Sequence, residues 1–281
     1  GVEQTLDNIY FALDKVMAMG HEVEAIGISC GGPLDSKTGV VMSPPNLPGW
    51  DNIPIVKLIE DRYHVKAGLQ NDANACALAE WKFGAGKGHD NVIFLTFGTG
   101  MGSGLILDGH LYAGTNDNAG EVGHVSLSEQ GPVGYGKRGS FEGYCSGGGI
   151  AQLATTKALE MFEMNQKPSF CDNVNSIHDI SAKDVAMKAL EGKEDALEVY
   201  ETSGRYLGRA LSLLIDILNP EMIVIGSIFA RSGELLIPAM EKEIAKEALP
   251  LASKVCKIVP AELGENLGDY AALSIASYIV S

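Results

Sequence analysis

Leu6, Ile9, Tyr10, Leu13 and Val16 recur at helical spacing and predict a helix over residues 3–19, which Gly20 stops. Residues 23–29 (VEAIGIS) are rich in β-formers and run into the turn Gly31-Gly32-Pro33. A short strand is expected at 39–41, followed by a loop at 43–50 (SPPNLPGW) too rich in proline for regular structure. A helix over 53–62, a strand over 65–69 and a helix over 74–83 come next. Residues 91–97 (NVIFLTF) are almost continuously apolar, the pattern of a strand covered on both faces, and a second strand at 105–107 follows a run of glycines. The stretch 110–148 is dense in glycine and reads as mostly loop; helix dominates from Ile150. The longest periodic segment, 199–218, places Tyr206, Leu207, Ala210, Leu213, Leu214 and Ile217 on one side. Asn219-Pro220 ends it, and residues 222–225 (MIVI) form another buried strand that opens into Gly226-Ser227. Strands alternating with helices predict an α/β protein.

Charge narrows the partners. With 36 acidic against 21 basic side chains the formal net charge is −15, which gives this portion no electrostatic footprint for nucleic acid or an anionic membrane. No apolar run is long enough to span a bilayer. Cys30, Cys76, Cys145, Cys171 and Cys256 are scattered and form no C-x-x-C pair, which favours a reducing compartment, the cytoplasm, and argues against a cysteine metal site.

Three clusters could carry chemistry. Glycines at 98, 100, 102 and 104 directly after a buried strand leave backbone N–H groups free to approach an anion, and Thr99 adds a hydroxyl. The plainer alternative is a tight hairpin, since a strand resumes at Leu105. A dinucleotide fingerprint needs a helix after the glycines, and a P-loop needs a lysine; neither is present. Asn71-Asp72-Ala73-Asn74-Ala75 sits where a strand ends and a helix begins. Asp72 is placed to act as a general base there, though in isolation a helix cap is the commoner role for such a residue. Glu121 and His124, flanked by Gly120 and Gly123, offer polar groups to a hydroxylated ligand, though a lone histidine is more often structural.

Taken in order, these pieces resemble the ROK family, and its glucokinase-like members most. The matching stretches are Gly31-Gly32-Pro33, PNLPGW at 45–50, NDANA at 71–75, FGTGMGSG at 97–104, AGEVGH at 119–124, the segment ending at Glu142, and Asn219-Pro220 to Gly226. The resemblance implies an actin-like (ribonuclease H-like) two-lobe fold with the active site in a cleft. Residues 1–90, completed by 268–281, would form the smaller lobe and 91–267 the larger. It implies transfer of the ATP γ-phosphate, with Mg²⁺, to a hexose or N-acetylhexosamine hydroxyl, in a homodimeric enzyme. Asp72 resembles the catalytic base. Asn46, Asn71, Glu121, His124 and Glu142 resemble the sugar ligands, with Gly32 in the loop that closes on the sugar. Gly98, Thr99, Gly100 and Gly102 match the phosphate-facing loop, and Gly226 and Ser227 a second turn against the nucleotide. Gly32, Asn46 and residues 113–118 are where sugar preference would be set.

Two departures stand out. Many family members hold a structural zinc with the histidine of AGExGH and three cysteines; here Val133, Tyr135 and Ser140 occupy the cysteine positions, so no zinc is expected. Tyr135 and Phe141 would replace the metal by packing. The family's opening Asp-x-Gly-Gly-Thr hairpin is also absent from these residues, so part of the first sheet is expected to be missing and turnover by this chain weakened. The alternatives within the same resemblance are a sugar-sensing transcriptional repressor and a sugar-binding relative without turnover.

Overall fold

The computed structural model describes residues 1–98 and 100–280. The first elements are α1 (Val2–Met17), β1 (Ala25–Cys30), β2 (Leu34–Asp35), β3 (Val40–Val41), α2 (Ile55–Tyr63), β4 (Lys66–Asn71) and α3 (Asp72–Phe83). β5 (Val92–Leu95), β6 (Ser103–Leu107) and β7 (His110–Leu111) lead through β8 (Val133–Gly134) and β9 (Lys137–Arg138) to α4 (Phe141–Cys145) and α5 (Gly147–Glu163). The chain closes with α6 (Ala182–Leu190), α7 (Glu194–Leu218), β10 (Met222–Ile225), α8 (Ile228–Glu247), α9 (Pro250–Ser253), β11 (Lys257–Pro260) and α10 (Leu267–Val280).

The main sheet runs β11-β10-β5-β6-β7, parallel from β11 to β5 and antiparallel from there. Its two central strands are buried throughout, because helices cover both faces. The two-residue strand period divides them cleanly. Ile93, Leu95, Ile223 and Ile225 join the core beneath α4–α8, while Val92, Phe94, Met222 and Val224 join the one under α3 and α10. The continuous apolar reading of these strands thus has a direct cause. A third core gathers Ile26, Val41, Trp50, Ile55, Ile59 and Leu69 under α1 and α2.

β1 and β4 pair in parallel, with Cys30 opposite Asn71. α10 lies on them so closely that a Cβ at Gly27 would stand 1.9 Å from the Ala272 carbonyl oxygen, so no side chain fits there. The last helix therefore packs on the first strands.

The face predicted for α7 needs correction. Leu207 and Ala210 are buried, but Leu213 and Ile217 are 43% and 74% exposed. The buried stripe instead runs through Val199, Ser203, Gly204, Leu207, Gly208, Leu211 and Ile215. α8 selects this side because it presses on backbone: Cβ atoms at Gly204 and Gly208 would lie 2.6 and 2.5 Å from the carbonyl oxygens of Leu236 and Met240. Small residues admit that approach and leave no hydrophobic signal to read.

Glu80, near the end of α3, is fully buried, yet its carboxylate accepts from the N–H groups of Ala85 (2.9 Å), Glu262 (3.1 Å) and Leu263 (3.0 Å). It ties the helix to the loop before α10. Glu80→Ala leaves these donors unpaired and is expected to lower stability by about 3 kcal/mol, with Glu80→Gln in between. Urea denaturation reads this as a lower midpoint at unchanged slope; an unaltered midpoint in Glu80→Ala rules out the anchor.

Candidate functional site

Four strand ends gather the candidate residues. β1 and β4 run parallel and release Gly31-Gly32-Pro33 and Asn71-Asp72 side by side, and a Cβ at Gly32 would lie 3.6 Å from Asn71 Nδ2. β5 and β10 also run parallel, with Leu95 opposite Ile225, and release the glycine loop and the Gly226-Ser227 turn side by side. The carboxyl ends of parallel strands are where α/β folds collect ligands.

Asn71, and not Asp72, caps α3. Its Oδ1 accepts from the Ala73 N–H at 2.8 Å and the Asn74 N–H at 3.4 Å, the geometry of an N-cap. Asp72 is the first residue of the helix, its side chain exposed, with Oδ1 2.8 Å from the Ala73 nitrogen. The capping alternative for Asp72 is thereby taken by its neighbour. A carboxylate in the first turn is also favoured by the partial positive charge of the helix N-terminus. Its charge reaches two thiols. Burial raises the Cys30 pKa, and Asp72 adds to the effect; burial pushes Cys76 up to about 12, with Asp72 and Glu80 contributing.

The glycine loop rests on the same first turn. Cβ atoms at Gly102 and Gly104 would sit 3.5 Å from the Ala73 Cβ and 2.6 Å from the Ala73 carbonyl oxygen. The hairpin alternative holds as geometry, since β5 and β6 pair antiparallel across the loop. Thr96 closes it: Oγ1 accepts from the Gly102 N–H at 2.7 Å, and the Thr96 N–H donates to the Gly102 carbonyl at 2.9 Å. Thr99 lies outside the described residues. Gly98 faces the second turn, with Ser227 Oγ 4.0 Å from its would-be Cβ, and the Ile228 N–H donates to the Phe97 carbonyl at 2.8 Å, so the two turns lie in contact. Ser227 immediately precedes α8, whose helical backbone is interrupted at Ser232, and Arg231, one turn along, donates from Nη2 to Ser227 Oγ at 2.9 Å. A glycine turn free of side chains and a nearby guanidinium fit a phosphate chain.

On the other side of the loop, Gly123 packs with its would-be Cβ 2.4 Å from the Met101 carbonyl oxygen, and Ser103 Oγ donates to the Gly120 carbonyl at 2.7 Å. This seats the 120–124 segment on the loop and leaves Glu121 and His124 exposed. Glu142, on α4, accepts from the Met101 N–H through Oε2 at 2.9 Å. Asn46 stands on an exposed turn closed by the Leu47 N–H to the Pro44 carbonyl, and among the described residues no hydrogen bond ties its side chain to the others. Hollows of about 710, 500 and 290 Å³ lie against α5, α7 and α8, and Asp72 lines none of them.

Where the zinc ligands would be, β8 and β9 form a small hairpin. The His124 ring meets Tyr135 edge-on at 6.2 Å between centroids, but Tyr135 is 82% exposed, so it fills no interior space. Phe141 is core, 1% exposed, and Ser140 caps α4 by accepting from the Gly143 N–H at 3.1 Å.

Sequence reasoning missed Thr96, Arg231 and the clasp between Ser36 and Asp117. Asp117 accepts from the Ser36 N–H (2.8 Å) and hydroxyl (2.7 Å) across 81 positions, tying the 113–118 loop to the turn after Pro33. Short polar residues in loops carry no mark of such distant partners.

A family model described as the ROK family matches residues 1–278. A glucokinase of Thermotoga maritima is 32% identical over 257 residues, which cover 91% of this chain and 80% of the relative. The solved ROK family glucokinase of Streptomyces griseus, in complex with glucose and AMPPNP, superposes with a TM-score of 0.73 at 29% identity, covering 98% of this chain and 88% of that one. A ROK family transcriptional regulator, homologous to the E. coli MLC protein, gives a TM-score of 0.81 at 27% identity, covering 97% and 67%.

Burial holds Cys76, and Cys145 in the main core, in the thiol form. Iodoacetamide at pH 8 is expected to leave both unmodified in the native protein and to label both in urea, read by mass spectrometry; native labelling of either contradicts the packing described.

Proposed function

Because this chain belongs to the ROK family, whose kinases share the actin-like ATPase fold, we propose that it is a sugar kinase. It passes the γ-phosphate of ATP to a hydroxyl of a hexose or N-acetylhexosamine, and Asp72 takes the hydroxyl proton. The observation that carries this is the contact between the first turn of α3 and the glycine loop, with 3.5 Å separating the Ala73 Cβ from the Cβ position of Gly102. A base and an amide-lined phosphate turn on adjoining backbones meet the demand of phosphoryl transfer for positioning above all else.

In this reading Asn71 fixes the start of α3 and hence the direction of Asp72. Asn46, Asn71, Glu121, His124 and Glu142 receive the sugar hydroxyls, with Gly32 in the loop that closes over them. Gly98, Thr99, Gly100 and Gly102 face the phosphates from one side, Gly226 and Ser227 from the other. When bound, ATP supplies the phosphoryl group and Mg²⁺ offsets its charge. Among the described residues no three acidic, histidine or cysteine side chains gather into a metal site, so Mg²⁺ would be held chiefly through the phosphates. Residues 1–90 with 268–281 and residues 91–267 act as two lobes that close around the sugar, which is why Asp72 is exposed before closure. The enzyme works in the cytoplasm as a homodimer.

A second reading, a sugar-sensing regulator, draws on the 0.81 TM-score to the regulator structure. The two separate on turnover. With a panel of hexoses and N-acetylhexosamines, a coupled assay should show sugar-dependent ADP release, and the same sugars should raise the melting temperature. Thermal shifts without ADP release support the regulator. Asp72→Asn is expected to lower kcat by about 10²–10⁴-fold while sugar affinity is kept; undiminished turnover removes Asp72 as the base.

A further inference from the structure

Glu142 reaches away from its own helix. α4 is held on every side: Ser140 and Cys145 are fully buried, Phe141 is 1% exposed, and the Ser146 N–H donates to the Glu142 carbonyl at 3.0 Å. A Cβ at Gly134 would come within 2.9 Å of the Glu142 Cβ. The base of this side chain therefore has no room to shift. From it, Oε2 crosses to the Met101 N–H at 2.9 Å, in the middle of the glycine loop. A Cβ at Gly100 would stand 3.1 Å from Oε2, close enough to press on it. The Met101 carbonyl is backed by Gly123, so the Met101 residue is pinned on one side by Glu142 and on the other by the segment bearing Glu121 and His124.

We propose that Glu142 is a positioning residue for the phosphate loop: one carboxylate oxygen holds the Met101 amide, and the other accepts a sugar hydroxyl, so that sugar and nucleotide favour each other's binding through this one side chain. This rests on the sugar-kinase reading above. A carboxylate acceptor is stronger than a neutral one for a backbone N–H, and orienting one residue of a glycine-rich loop limits the conformations open to its neighbours. A residue serving the sugar alone would leave the empty loop and its nucleotide affinity untouched.

The experiment uses the full chain as wild type, Glu142→Ala and Glu142→Gln. AMPPNP affinity is measured by calorimetry with and without a sugar that shifts the melting temperature, and amide exchange of the loop is measured in the unliganded proteins. In Glu142→Ala, nucleotide affinity without sugar should fall about 10-fold, the size expected for a charged hydrogen bond. The gain in affinity on adding sugar should vanish, and exchange at residues 100–103 should quicken about 10-fold. Glu142→Gln retains an acceptor for Met101 and should stay within about 3-fold of wild type in sugar-free affinity and exchange. Glu142→Ala with wild-type loop exchange and wild-type nucleotide affinity overturns the proposal. Exchange within α7 reports any global unfolding, in which case Glu142→Gln decides by its sugar-induced gain. It should be weakened, and a full gain overturns the coupling. The loop effect in Glu142→Ala together with a wild type that shows no turnover sinks the kinase reading and leaves the anchoring of Met101 standing.

Discussion

Everything at the candidate site depends on how closely the first turn of α3 sits against the backbone of the loop and strand that follow β5. At Gly104 a Cβ would clash with Ala77 at 2.5 Å and with the Ala73 carbonyl oxygen at 2.6 Å. No side chain separates the two. The helix meets this constraint with Ala73, Ala75, Ala77 and Ala79, all buried, and with Glu80 locking its far end. Because alanine carries high helix propensity as well as little bulk, the helix stays regular while its neighbours approach on several sides. Asp72 is in this way set beside the loop by rigid elements rather than by a flexible segment.

The same economy recurs across the molecule. α10 approaches β1 at Gly27, and α8 approaches α7 at Gly204 and Gly208, each over backbone. The contact at Gly27 links two cores, whereas those at Gly204 and Gly208 lie within one. α3 and α10 share a core with one face of the main sheet while α10 also lies on β1 and β4. The result is two pairs of parallel strand ends, β1 with β4 and β5 with β10, each releasing a glycine-bearing turn beside its neighbour.

The hairpin at β8 and β9 bears on the candidate site through α4. With valine, tyrosine and serine at the cysteine positions, the segment is held by hydrogen bonds: the Leu127 N–H to the Gly139 carbonyl at 2.8 Å, Ser140 on α4, and Gln152 gripping both the N–H and the carbonyl of Val133 at 2.9 and 2.8 Å. These bonds fix α4, and α4 carries Glu142. The stability of this region thus bears on the loop that Glu142 holds.

The main-sheet strands, the helix over α3 and the order of the motifs were legible in the sequence, because a continuous apolar run, a strand-end turn and a glycine spacing are local patterns. The NDANA and glycine stretches could be matched to a chemistry before any contact was known. Other features depended on which backbone came near which side chain. Asn71 took the cap and left Asp72 free; Glu142 found Met101 across 41 positions; Asp117 found Ser36 across 81. α8 meets the buried face of α7 at Gly204 and Gly208, whose lack of a side chain leaves no mark in the hydrophobic periodicity. Periodicity reports how an element meets water, whereas the partner of a small or polar residue is fixed only when two distant pieces of chain are brought within a hydrogen bond's length.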